Sequence, residues 1–224
     1  KRRRGVQPHL HALTGAIGVL AMNTAHIVPP EQVFSLMTFM SVAGEALIGL
    51  ALGFILQIAF AAPMVASEVI GISMGIGFAS SVDPQHGAST PALGNFLSIL
   101  LTLLFLAVNG HLVLVELIVK SYTLLPPGAW LGPEQFKNIA FFGGYAFLAG
   151  LLLALPVGFL LLCLNMVVGM ISRSAPSLNL FAVGLPASLF VGVLALLVAM
   201  PAMGDYMLVI IREGLEMTQR LVIG

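Results

Sequence analysis

Charge is the scarcest thing in this sequence. Nine Lys and Arg and nine Asp and Glu serve 224 residues, 8% of the chain, against roughly 25% in an ordinary soluble domain. So few charges cannot clothe a water-facing surface. Two compatible classes remain: a chain inserted in a bilayer, or a core subunit buried in a larger assembly. The charges also cancel to a formal net of +0, so no global basic field invites nucleic acid. Cysteine is nearly absent. Cys163 stands alone in an apolar run, which excludes an intrachain disulfide and a Cys-rich metal site and predicts a small buried apolar side chain. His86 and His111 are far apart and have no ligand-type neighbours, so neither predicts a metal. The patterns HExxH, GxGD and GxSxG, a Walker loop and a GxGxxG turn are all missing. Enzyme chemistry therefore has no motif to stand on, and no cofactor is expected.

What is there is hydrophobic: 59% of residues, with a mean hydropathy of +1.06. Apolar segments run over Leu10–Val28, Val33–Ala62, Met64–Val82, Pro91–Val119, Ile139–Ile171, Leu178–Met200 and Met203–Ile223. A helix needs about 20 apolar residues to cross a bilayer core, and several segments fit. Between Val33 and Val82 the only charges, amides or prolines are Glu45, Gln57, Pro63 and Glu68. That pattern predicts a long helix, a bend at Pro63, and a returning or continuing helix. Breaks are expected at Pro29-Pro30, Asp83–Pro91, Leu125–Pro133 and Ser172–Ser177, and kinks or shorter paired helices at Pro156 and Pro186. One all-helical unit over 1–224 is the predicted organisation.

The two ends differ from the middle. Lys1-Arg2-Arg3-Arg4 reads as a cytoplasmic end or an anionic-lipid contact. A signal peptide over Leu10–Val28 is disfavoured by the interrupting Pro8, His9, His11, Asn23 and His26 and by the lack of an A-x-A site. Residues 204–224 predict an amphipathic helix, since Arg212, Glu216 and Arg220 recur at i, i+4 on one face.

Small residues recur at helix spacing, as in Gly49-Leu-Ala-Leu-Gly53 and Gly71-Ile-Ser-Met-Gly75. Such faces let helix backbones approach closely, within the chain or against another subunit. Glu45 and Glu68 lie deep in apolar sequence. A lone carboxylate there is costly, so each should be neutral, paired or facing water. A buried bond holding subunits together is the plainer reading, and an ion relay the sharper one. Gln57 and Asn165 read as interhelical hydrogen-bond groups, and Arg173 as a cation at a helix C-terminus.

Several segments together resemble one family. IGLALGFILQIAFA (Ile48–Ala61), EVIGISMGIGFASSVDP (Glu68–Pro84), FLAVNGH (Phe105–His111), LALPVGFLLLCLN (Leu153–Asn165) and RSAPSLNLFAVGLP (Arg173–Pro186) stand in the order and spacing of the FliR/SctT family of flagellar (type III) export-gate subunits. The resemblance implies an all-α, membrane-inserted chain of bent helical hairpins, like FliP and FliQ joined, packed into a hetero-oligomeric helical export gate. It also implies a further N-terminal helix before the position of Lys1. FliP, FliQ, FlhB and FlhA are the implied partners, with lipid during insertion and unfolded rod, hook and filament proteins as the export substrates. The implied location is the bacterial inner membrane, multi-pass, in the flagellar basal body.

The resemblance further implies a channel plug within 76–91, carried by Phe78, Ala79, Ser80, Ser81, Val82, Asp83 and Pro84. The small-residue, turn-forming composition of that stretch suits a loop, and Phe78 and Val82 suit an apolar constriction. Asn109, in FLAVNGH, joins Glu45, Gln57, Glu68 and Arg173 as expected buried polar or structural groups. Two alternatives stay open at this point: an injectisome paralogue, and a conventional polytopic transporter or channel with Glu45 and Glu68 as its sites.

Overall fold

The structure, a computed structural model, describes residues 35–76, 92–125, 128–174 and 180–223. Six α-helices account for nearly all of them: α1 (Leu36–Ser73), α2 (Ala92–Ala107), α3 (Gly110–Leu124), α4 (Pro133–Phe142), α5 (Tyr145–Ser174) and α6 (Leu180–Ile223). No strand occurs among the described residues, so the all-α expectation holds.

Length and composition make Leu36–Ser73, Pro133–Ser174 and Gly184–Ile223 long and apolar enough to cross a membrane. The broken pair Ala92–Ala107 and Gly110–Tyr122 adds a fourth such stretch if it counts as one. At 1.5 Å per residue, the 38 residues of α1 reach roughly 57 Å and the 44 of α6 roughly 66 Å. Both exceed the ~30 Å bilayer core.

The boundaries follow the sequence expectation only in part. α1 continues through Pro63, the second of the two outcomes expected there. α6 runs unbroken through Pro186 and Pro201, joining segments expected to be separate, and α5 likewise continues through Pro156. Proline removes one N–H from the helix ladder and crowds the preceding turn. In an apolar setting, with helix bonds on both sides intact, that loss bends a helix more readily than it ends one. Conversely, the run Pro91–Val119 is two helices. Asn109 sits at φ 58, ψ 27, the left-handed region that Asn tolerates better than most residues. Its carbonyl accepts from Leu112 N–H at 2.9 Å and starts α3.

The described residues fall into two compact units, with α1 passing from the first to the second between Leu56 and Gln57. In the first unit, Ile48, Leu52 and Ile55 of α1 are buried, as are Leu117 of α3, Leu131, Ile139 of α4, and Leu221 and Val222 at the end of α6. Their spacing on α1 is that of one helix face. α4 opens with Pro133 as its first residue, and the backbone N–H of Gly132 donates to Oε1 of Gln135. A proline at the first helical position and a Gln reaching back to the cap are strong local start signals.

In the second unit, α1 contributes Ala59, Ala62, Ala66 and Ile70, and α5 contributes Ala149, Leu153, Ala154, Val157 and Leu161, all buried. The small residues let backbones meet. A Cβ built on Gly150 would lie 2.5 Å from Val65 Cβ and 2.8 Å from the Ala62 carbonyl oxygen. Further along, Gly158 approaches Val69 and Asn165 reaches Ser73, so α1 and α5 run parallel. Asn165 late in α5 also meets Ser188 early in α6, while Tyr145 at the head of α5 lies near Tyr206 late in α6. α5 and α6 therefore form an antiparallel hairpin. Phe60 and Phe105 pack edge to face at 5.3 Å and tie α2 to α1.

Candidate functional site: polar groups on apolar helices

The end of α1 is held by several bonds at once. Gly75 adopts φ +76. Its N–H bonds to the Ile72 carbonyl at 3.0 Å, and Ile76 N–H bonds to the Gly71 carbonyl at 3.0 Å. That is the paired capping pattern in which a glycine takes the left-handed angle at no steric cost. Side chains lock it from outside. Asn165 Nδ2 donates to the Ser73 carbonyl at 3.1 Å, and Asn165 Oδ1 accepts from the Ser188 hydroxyl at 3.1 Å. Met74 is buried against Gly192, where a Cβ would come within 2.6 Å of its side chain. Asn165 is thus the interhelical hydrogen-bond group that its apolar surroundings predict. The expected plug, Phe78 to Pro84, lies outside the described residues.

The other singled-out polar groups are dispersed. Glu45, on α1 in the first unit, is partly covered, and its Oε1 is buried without a hydrogen-bond partner among the described residues. It borders a cavity of about 180 Å³ between α1 and α3. Gln57 and Glu68 on α1, Asn109 and Arg173 are exposed on this chain alone. Glu68 shares its face with the exposed Met64 and Ile72. Arg173 stands in the last turn of α5, where a cation complements the helix C-terminus. Cys163 departs from expectation: it is exposed on the chain, because it points away from the face of α5 that carries Val157 and Leu161. His111 is exposed. Among the described residues no group of His, Cys, Asp or Glu is arranged to hold a metal.

The small-residue motifs divide into two kinds. Gly150 and Gly192 are filled by their own chain, whereas a Cβ on Gly49, Gly53 or Gly71 would meet nothing within 4 Å. Large apolar side chains are left open in the same way. On α6, Phe190, Val193, Leu197 and Val198 are exposed, and on α5, Phe147, Phe159, Met166 and Met170. Only 17% of the most apolar window of α6 is buried within the chain. Apolar surface on this scale marks lipid or protein contact.

Residues 7–214 match the family described as bacterial export proteins, family 1. The chain belongs to that family. This export protein is similar to the flagellar biosynthetic protein FliR of Escherichia coli (strain K12), with 39% identity over 196 residues, 85% of this chain and 75% of that protein. It is 40% identical over 182 residues to FliR of Pectobacterium carotovorum subsp. carotovorum, covering 78% of this chain and 70% of that one. FliR of Bacillus subtilis (strain 168) is 33% identical over 178 residues, 78% of this chain and 67% of its own length. The family resemblance carried by the five quoted segments is borne out. In the export protein those segments supply the second half of α1, the α2–α3 break, the Asn165 end of α5 and the start of α6.

Proposed function

We propose that this chain is a core subunit of the flagellar type III export gate, forming part of the channel through which unfolded rod, hook and filament proteins leave the cell. A component of the flagellar export apparatus is the coarser role, supported by the family and its FliR relatives. The finer reading rests on one observation. The apolar helices carry exposed polar groups, Glu68 and Gln57 on α1, together with open glycine faces at Gly49, Gly53 and Gly71. Lipid makes a poor neighbour for a carboxylate and gains nothing special from a glycine groove. Neighbouring helices or a water-filled lumen suit both. FliP, FliQ, FlhB and FlhA are the proposed neighbours, in the bacterial inner membrane at the basal body. No reaction is proposed: the chain guides and seals, and the energy for export comes from elsewhere.

The loop Phe78–Pro84 is the proposed plug, on the strength of its sequence. A glycine-capped α1 held by Asn165 gives the chain entering that loop a fixed starting point. Shortening Phe78–Pro84 should make cells leak ions or small solutes while the complex still assembles. A tight, fully exporting complex after that deletion removes the plug from the proposal.

Mild-detergent purification of a tagged chain, followed by native mass spectrometry, tests the assembly. Elution with FliP-like and FliQ-like subunits in one large complex is the expected result. Elution alone, or as a small homo-oligomer, would overturn the gate reading and direct attention to flux through the isolated chain.

A further inference from the structure

The described residues of the first unit leave a space that they do not fill. α1 and α3 enclose about 180 Å³. The walls are apolar, from Ile48 and Leu52 on one side and Leu114 and Ile118 on the other. Gly49 and Gly53 open it on the α1 side, and a Cβ on either would meet nothing within 4 Å. Neither glycine has a positive φ, so backbone conformation does not call for glycine at these positions. Glycine inside a helix weakens it relative to alanine. Two of them, one turn apart and facing space that no described residue fills, are wasted unless something outside the described residues occupies it.

At the same cavity stands Glu45, whose Oε1 is buried and has no hydrogen-bond partner among the described residues. A buried acceptor left unmade is costly, and far more so if it is charged. The other polar lining residues, Ser121 and Tyr122, make no hydrogen bond to that oxygen. Ser121 spends its hydroxyl proton on the Ile118 carbonyl at 2.7 Å. Water alone is a weaker match, because an ordered buried water needs two to four polar partners and most of this lining is aliphatic.

We propose that this cavity is a docking socket for a lysine or arginine side chain from a neighbouring subunit of the export apparatus. The aliphatic stem lies on Ile48, Leu52, Leu114 and Ile118 over the two glycines, and the cationic tip donates to Glu45. Such a side chain matches the site at both ends: an apolar stem for the walls and a charged donor for the orphan carboxylate oxygen. The assignment of the occupant to another subunit rests on the export-gate reading.

The test uses the full chain produced with and without the rest of the apparatus. Gly49→Leu fills the socket from within, in space that the chain itself leaves open. Glu45→Ala removes the acceptor, and Glu45→Lys places a like charge against the incoming one. Gly169→Leu is the control, since its Cβ direction is equally open and it does not line the cavity. Produced alone in detergent, all four variants should keep at least the wild-type yield and melting temperature, the two glycine replacements gaining modestly from helix propensity. Produced with the apparatus, Gly49→Leu and Glu45→Ala should lower the recovered complex at least tenfold, Glu45→Lys more than Glu45→Ala, and Gly169→Leu not at all. Wild-type recovery for Gly49→Leu and Glu45→Ala would overturn the socket while leaving the gate reading intact. So would equal recovery for the alanine and lysine variants at Glu45, which would remove the cation. If native spectra show these variants losing a bound lipid with assembly unchanged, the cavity belongs to lipid instead. Failure of the wild-type chain to assemble at all would bring down the gate reading, and the socket with it.

Discussion

The side-chain amide of Asn165, well along α5, donates to the backbone carbonyl of Ser73, the last residue of α1, at 3.1 Å. A carbonyl near a helix C-terminus has no donor in its own ladder, so a side chain from another helix fills the gap. With its other atom Asn165 accepts from Ser188, and one residue thereby ties three helices together at the point where α1 stops.

Asn165→Ala should destabilise the detergent-solubilised chain by about 0.5–1.5 kcal/mol, the range for a part-exposed hydrogen-bond pair in a membrane protein. Asn165→Asp should cost at least as much, because it loses the donor that Ser73 needs. A double-mutant cycle with Ser188→Ala, read by thermal melting, should show coupling. Strict additivity would mean that the two side chains act apart.

Two glycines of α5 separate close packing from open surface. Gly150→Ala forces a Cβ to within 2.8 Å of the Ala62 carbonyl oxygen, and a backbone atom cannot rotate away. A loss of about 1–3 kcal/mol is expected. Gly169→Ala meets nothing and should gain up to roughly 1 kcal/mol from helix propensity. Melting curves of the two variants, measured side by side, should therefore move in opposite directions.

The break between α2 and α3 depends on a left-handed residue. Asn109→Gly should melt within a few tenths of a kcal/mol of wild type, whereas Asn109→Val should lose about 1–2 kcal/mol, since a β-branched side chain pays the full penalty at φ 58. Equal melting temperatures for the two would show that the break is held by something other than Asn109.

Glu68 is exposed on the chain, so Glu68→Leu should leave the melting temperature of the isolated chain within about 0.5 kcal/mol of wild type. On the proposed gate reading, in which a neighbour or a water path meets that carboxyl, swimming in soft agar should nevertheless fall sharply. Full motility would remove Glu68 from the machinery, and full motility of Glu68→Gln would by itself end any proton-relay role.

These sites show how far apolar sequence can be read. The helical class follows from hydropathy, and the long α1 follows once Pro63, the one break signal in Leu36–Ser73, is seen not to end the helix. The expected separation of Leu178–Met200 from Met203–Ile223 is absent, since Pro201 removes one N–H from a helix whose remaining bonds carry it through to Ile223. The break at Asn109 escapes the sequence for the opposite reason. Asn-Gly is a break signal, but it stands inside a run whose apolar residues dominate any window average. Among the polar groups, the unusual ones were visible as interruptions, and Asn165 behaves as its surroundings predict. Which of them this chain covers was not visible. Glu45 and Glu68 look alike in sequence, yet Glu45 faces a cavity formed with α3 while Glu68 stands open. That difference depends on a helix more than forty positions away, which periodicity along α1 cannot register.

The barely covered α6 has a consequence for the cell's accounting of its own proteins. On the proposed gate reading, a copy synthesised in excess carries the same bare Phe190, Leu197 and Val198 as a copy about to be assembled. Surplus chains therefore present themselves to membrane proteases as orphans. Raising the dosage of this gene alone should shorten the half-life of its product and leave the number of gates unchanged.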